Sequence, residues 1–157
     1  MTRSFADTNI LVYAFDEQEP AKRTIAQSIV TGIVDTGDVA ISTQVLQELF
    51  VTLRRMFAVD LDLAVIDSIV RRFATGAVVQ VDVPIILAAM SRVLRSNISL
   101  WDALIVEAAL VAGATRLLTE DLQHGQVIDG RLRIENPFLS GIRSRRKLIF
   151  IIMTLTK

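Results

Sequence analysis

The feature that narrows the fold most is an alternation of short apolar runs with much longer stretches of helical period. The runs are the one that ends at Asp7, then Val39-Ala40-Ile41, Ala77-Val78-Val79-Gln80-Val81 and Thr115-Arg116-Leu117-Leu118-Thr119. Between them the spacing of apolar residues predicts helices over about Ile10–Phe15, Ala21–Val34, Gln44–Phe57, Pro84–Arg95 and Leu100–Ala112. A further helix opens at Asp60-Leu61-Asp62 and closes before Gly76. The punctuation agrees: Pro20 and Pro84 suit a first helical turn, Ser42 or Thr43 suits an N-cap, and Gly113 suits a C-cap. Strands that alternate with helices imply an α/β domain whose mostly parallel sheet is covered on both faces. Near the end, Asp129-Gly130 reads as a turn, and Arg131–Glu135 alternates as an edge strand.

Composition bounds what such a domain can do. The 157 residues suit one domain with a sizeable core, and 52% are apolar, which excludes a disordered chain. There is no Cys, so disulfides, thiolate metal sites and Cys nucleophiles are excluded, and a reducing, cytoplasmic setting is expected. The N-terminal residues carry no apolar signal segment, and no run reaches the length of a membrane span. Zero net charge hides an uneven distribution. Residues 1–139 hold 17 acids against 12 Lys and Arg, a net −5, and residues 140–157 hold five basic residues and no acid. A mildly acidic body argues against non-specific coating of nucleic acid as the main role. It leaves room for an enzyme that holds nucleic acid through metal ions and a few arginines.

Several acids fall where a parallel sheet would collect them. Asp7 follows the first strand, Glu120 and Asp121 follow the fourth, Asp102 sits in the first turn of a helix, and Glu48 lies on the helix after the second strand. In open α/β sheets, ligands bind at the carboxyl ends of the strands. Clustered carboxylates repel one another unless a cation or protons compensate them, and hard cations such as Mg²⁺ and Mn²⁺ prefer oxygen ligands. Each acid also has a structural explanation. Asp7 suits a helix cap, Asp102 meets the positive end of a helix dipole, and Asp121 suits a turn. Glu48 lies close to the stripe of Val45, Leu46, Leu49 and Leu53, so it needs a partner, for which Arg54 or Arg55 is available. Glu107 is about 140° round the helix from Asp102, so it is expected to be exposed or paired rather than part of a site. His124 is the only His and reads as structural; no Ser-His-Asp arrangement and no phosphate-cradling glycine motif is present.

Four stretches in order resemble the acidic motifs of PIN domains: Phe5-Ala6-Asp7-Thr8-Asn9-Ile10-Leu11, Gln47-Glu48-Leu49, Trp101-Asp102-Ala103-Leu104-Ile105-Val106 and Leu118-Thr119-Glu120-Asp121-Leu122. Asn136-Pro137-Phe138 looks like the usual end of the bacterial forms, and the likeness covers residues 3–139. It is nearest to stand-alone VapC-type toxins. The resemblance implies a three-layer α/β/α sandwich with a central, mostly parallel sheet, and Mg²⁺- or Mn²⁺-dependent endoribonuclease activity. It also implies a cognate antitoxin and a homodimer. Carried over by motif, Asp7, Glu48, Asp102 and Asp121 form the acidic site, with Glu120 a second candidate beside Asp121. Thr8, Asn9 and Thr119 would orient carboxylates or water, and Arg54, Arg55 and Arg92 are candidates for holding RNA phosphates. The alternative is a catalytically silent PIN-like module that binds RNA or protein. A receiver-like or phosphatase domain fits poorly, because Asp7 is followed by Thr8 and Asn9 rather than by a second acid. The basic and apolar residues 140–157 depart from the family pattern and are set apart from a nuclease domain at 1–139.

Overall fold

The structure, a computed structural model, describes residues 3–139. The expectations for the segment 140–157 lie outside the described residues.

Strand β1 (Ser4–Ala6) leads through Asp7 into helix α1 (Thr8–Tyr13), and α2 (Pro20–Thr31) follows with Pro20 in its first turn. The single long helix expected to Val34 instead changes pitch: Gly32–Thr36 form a π-helical turn that ends at Gly37 with φ +70°. Next come β2 (Val39–Ser42), α3 (Thr43–Met56) and α4 (Leu63–Phe73). They are followed by β3 (Ala77–Val79), α5 (Val83–Arg95), α6 (Leu100–Val111) and β4 (Arg116–Leu118). A hairpin of β5 (Val127–Ile128) and β6 (Leu132–Glu135) completes the described chain. Side chains fix most helix starts: Ser42, Asp62, Asp82 and Ser99 each accept a hydrogen bond from a backbone N–H of the helix they open.

The six strands lie in the order β3-β2-β1-β4-β6-β5, all pairs parallel except β5 with β6. Every residue of β1 and β2 is buried. Successive strand residues point to opposite faces, so both faces of the sheet centre are covered, as parallel sheets require. Phe5, Ile41, Leu117 and Ile134 from the sheet pack with Leu11, Leu49, Leu53 and Ile66 from the helices in one main core.

One strand differs from its expected place. β6 is not an edge: it pairs with β4 on one side and with β5 on the other. Its alternation, with Leu132 and Ile134 buried and Arg133 exposed, comes from one solvent-facing side of the sheet rather than from an open edge. The edge is the two-residue β5, too short to register as a periodic run. The turn joining the two has positive φ at both central residues, Asp129 at 50° and Gly130 at 68°, which matches the right-handed twist of the hairpin.

Strand order places the site. The chain builds outward from β1 to β2 and β3, then returns to add β4 on the opposite side of β1. Loops leaving β1 and β4 therefore diverge, and the crevice between them is the topological switch point where open α/β sheets bind ligands. Asp7 leaves β1 there, and Thr119, Glu120 and Asp121 leave β4 beside it.

Candidate active site

Asp7 is the N-cap of α1, and one carboxylate oxygen accepts the Thr8 N–H at 2.7 Å. The other oxygen accepts the Thr119 hydroxyl at 2.8 Å. The cap and the site are thus one residue, and the sequence alternatives for Asp7 are compatible. Its carboxyl is pushed up to about 6: burial favours the neutral acid, the Thr119 and Thr8 hydrogen bonds oppose this, and the charges of Asp121 and Glu48 add to it.

Glu48 reaches the same place from the second turn of α3. Thr8 Oγ1 donates to its Oε2 at 2.8 Å, and Gln44 Nε2 donates to its Oε1 at 2.8 Å. The expected partner was Arg54 or Arg55. Neither fills that role, because Thr8 and Gln44 already meet the two carboxylate oxygens. Gln44 was not singled out in the sequence, although it stands one helical turn before Glu48, a spacing at which side chains meet.

Asp121 is exposed, and its Oδ2 accepts Asn9 Nδ2 at 2.9 Å. Thr119 Oγ1 receives the Asp121 N–H at 3.1 Å while donating to Asp7. Asn9 and Thr119 thus bridge the two acids across the switch point. Glu120 turns the other way and pairs with Lys22 at 2.7 Å. Of the two candidate acids after β4, Asp121 joins the network.

Asp102 is not brought into this group. Ser99 Oγ donates to its Oδ2 at 2.8 Å while accepting the Asp102 N–H at 3.0 Å, a reciprocal cap at the start of α6. The start of α6 is nevertheless tied to the site, because Gln44 Nε2, which binds Glu48, also donates to the Trp101 carbonyl at 3.3 Å.

Asp7, Asp16, Glu48 and Asp121 line a cavity of about 620 Å³. Val12, Val51 and Met56 form its apolar side, and Arg55 is the one lining cation among the described residues. Arg54 is exposed and outside the cavity. Arg92 requires correction as an RNA-binding candidate. Only 8% of its side chain is exposed, and it is held by Glu107 at 2.6 Å and Asp129 at 2.7 Å. Burial and two carboxylates turn the guanidinium inward and answer its charge, so it offers no exposed cation to a phosphate. Glu107 is paired, as expected. His124 is structural, its Nδ1 accepting the Asn136 N–H at 3.0 Å.

The donor set fits a divalent cation. Four carboxylates line one cavity, all available ligands are oxygens, and the buried Asn9 Oδ1 in its lining has no hydrogen-bond partner among the described residues. Among the described residues, no three acids stand close enough to grip one ion in these positions.

The fold and this site define a class: an open α/β domain with an acidic cavity at the switch point of its sheet. The sequence model of the PIN domain matches residues 4–128, and the chain belongs to the PIN domain family. No curated protein sequence matches the chain. Solved structures do. A toxin–antitoxin complex from Klebsiella pneumoniae aligns at TM-score 0.62 and 18% identity, over 85% of this chain and 97% of the other. The DNA-bound VapBC complex from Salmonella typhimurium aligns at 0.59 and 21%, over 86% and 98%. VapC20 of Mycobacterium tuberculosis, a sarcin–ricin loop cleaving toxin, aligns at 0.56 and 20%, over 75% and 91%. At these identities the likeness is one of fold. Among the described residues, no helix is long and apolar enough to cross a membrane.

Proposed function

We propose that the chain is a Mg²⁺- or Mn²⁺-dependent endoribonuclease and the toxin of a toxin–antitoxin pair, working in the cytoplasm. The observation that carries this reading is the gathering of Asp7, Glu48 and Asp121 on one cavity with, among the described residues, no basic side chain bound to any of them. Such an arrangement is costly to folding unless a cation is its counterpart.

Asp7 and Asp121 would hold the metal, with Asp102 joining them on release from Ser99, and Glu48 would complete the shell or take a proton from the attacking water. A bound divalent ion supplies charge stabilisation at phosphorus and a water that loses its proton near neutral pH. Thr8, Asn9 and Thr119 keep the carboxylates turned toward the cavity, as hydrogen bonds behind metal ligands commonly do. Arg55, at the cavity wall, would hold a phosphate beside the scissile bond.

Two features support protein partners. Val83, Ile86, Leu87, Met90 and Leu94 form an exposed stripe along α5 at helical spacing, the kind of surface a homodimer covers. A second apolar groove, lined by Leu46, Phe50, Val51 and Val70, adjoins the cavity wall at Val51 and suits an amphipathic segment of an antitoxin.

The rival reading, a silent PIN-like module that binds RNA or protein, is favoured by one observation: Asp102 is engaged with Ser99. Incubation of purified protein with RNA and Mn²⁺ or Mg²⁺, beside Asp7→Asn, separates the two. Cleavage by the wild type alone supports the nuclease. Equal cleavage by both proteins sinks the acidic-site mechanism, and no cleavage of any RNA by either supports the silent module.

A further inference from the structure

Glu120 and Asp121 are adjacent acids in the turn after β4, yet they belong to different networks. Asp121 is bonded to Asn9 and faces the cavity. Glu120 is drawn off by Lys22 of α2, whose ammonium also donates to Tyr13 Oη at 3.0 Å. That ammonium lies 4.3 Å from the centre of the Tyr13 ring and 5.3 Å from that of Phe138, which packs edge-on against Tyr13. Neither partner is free in solvent: the side chains of Lys22 and Glu120 are 27% and 22% exposed. Tyr13 closes the loop of contacts, because it sits at the end of α1, the helix that begins with Thr8 and Asn9, and it lines the cavity.

We propose that Lys22 is a positioning residue that sorts the two acids, holding Glu120 away from the site so that Asp121 alone faces the metal. The inference deepens the acidic-site reading and rests on it. Two aromatic rings and a hydroxyl hold the ammonium in place, so the pair is more constrained than a surface ion pair of two mobile chains. Without the cation, Glu120 is a half-buried carboxylate with no counterion, one residue from Asp121. Released, it is free to turn toward Asp121, where it adds a negative charge to a group of acids that already repel. Asp121 then loses its fixed place between Asn9 and Thr119.

The test is Mn²⁺ affinity, measured by titration calorimetry on the full chain, with urea unfolding run alongside. Lys22→Met keeps the aliphatic stem and removes the charge. It is expected to weaken Mn²⁺ binding about 10-fold, the lower end of the effect of losing a support behind a metal ligand. Glu120→Gln in the wild-type background is expected to leave the affinity within about 2-fold, because Glu120 is not a ligand. Adding Glu120→Gln to Lys22→Met is expected to restore most of the affinity, since the stray charge is gone. A general weakening of the fold would not be rescued this way. Unchanged affinity in Lys22→Met overturns the proposal, as does failure of the double variant to recover. A loss in Glu120→Gln as large as that in Asp121→Asn overturns it too, by making Glu120 a ligand. Wild-type protein with no saturable Mn²⁺ binding defeats the acidic-site reading itself; binding by the wild type with Lys22→Met unaffected defeats only the role of Lys22.

Discussion

Two regions of this domain bury charge, and they treat it in opposite ways. On the α5–α6 side, Arg92 is buried between Glu107 and Asp129, with Nε and Nη donors at 2.6 and 2.7 Å. The guanidinium hydrogen bond holds the Asp129 carboxyl below the usual carboxylate range. At the switch point, Asp7 is 6% exposed, has hydroxyl and amide donors, and is pushed up to about 6. The first region is electrostatically closed: its charges are answered within the chain. The second is open: among the described residues, no basic side chain answers its acids. Perturbed acids in a cavity are candidates for function, whereas paired acids joining secondary elements are candidates for architecture. The contrast supports separate roles for two networks that a count of buried acids would treat alike.

The sharpest way to break the comparison is to open the closed region. Arg92→Met should lower unfolding free energy by about 4 kcal/mol, because it strands Glu107 beneath the surface. Urea unfolding measures it, and a loss below about 1 kcal/mol would mean that the network is ornamental.

Next in size is the pH dependence of the open region. In the folded chain Asp7 keeps its proton up to about pH 6, and in the unfolded chain it releases it near 3.8. Its contribution is therefore stabilising at low pH, falls as pH rises from about 4 to 6, and levels off above. The difference is worth about 3 kcal/mol from the size of that shift. Metal-free protein should lose this stability between pH 4 and 7, Asp7→Asn should not, and Mn²⁺ at pH 7 should raise the urea midpoint of the wild type only. Identical pH profiles for the two proteins would contradict the open-site description.

A smaller effect tests where Asp102 belongs. Ser99→Ala removes the N-cap hydroxyl of α6 and should cost about 1 kcal/mol of stability. If Asp102 is also a metal ligand, the freed carboxylate should leave Mn²⁺ affinity equal or higher; a fall in affinity would assign the Ser99 bond to the site itself. The smallest structural effect should come from Arg55→Ala. Stability should change by under about 0.5 kcal/mol, while the salt dependence of RNA binding should weaken by about one phosphate contact. A full salt slope in the variant would remove Arg55 from the RNA path.

Much of the site was legible before any coordinates. Asp7, Glu48 and Asp121 are readable as acids at strand ends or early in helices, Thr8, Asn9 and Thr119 come with the resemblance to PIN domains, and these six meet in the structure. The misreadings have a common source. Arg92 looked like any surface arginine, because nothing local shows that α6 and a distant hairpin enclose it. Glu48 appeared to need an arginine, because Thr8 is 40 residues away and its hydroxyl carries no periodic signal. β6 was taken for an edge strand, because period-two alternation reports one wet face and says nothing of neighbours along the hydrogen bonds.

By itself, the sequence determined the class of fold and which acids stand at strand ends and helix starts. Periodicity and turn chemistry are local properties, set by which residues can share a strand or a helix face. Only the tertiary structure decided how charges are paired. Whether an acid meets Lys22, Arg92, a serine hydroxyl or an open cavity depends on strand order and helix packing, which bring together residues up to 112 positions apart. Coulomb energy and desolvation act over a few ångströms of space, whatever the distance along the chain.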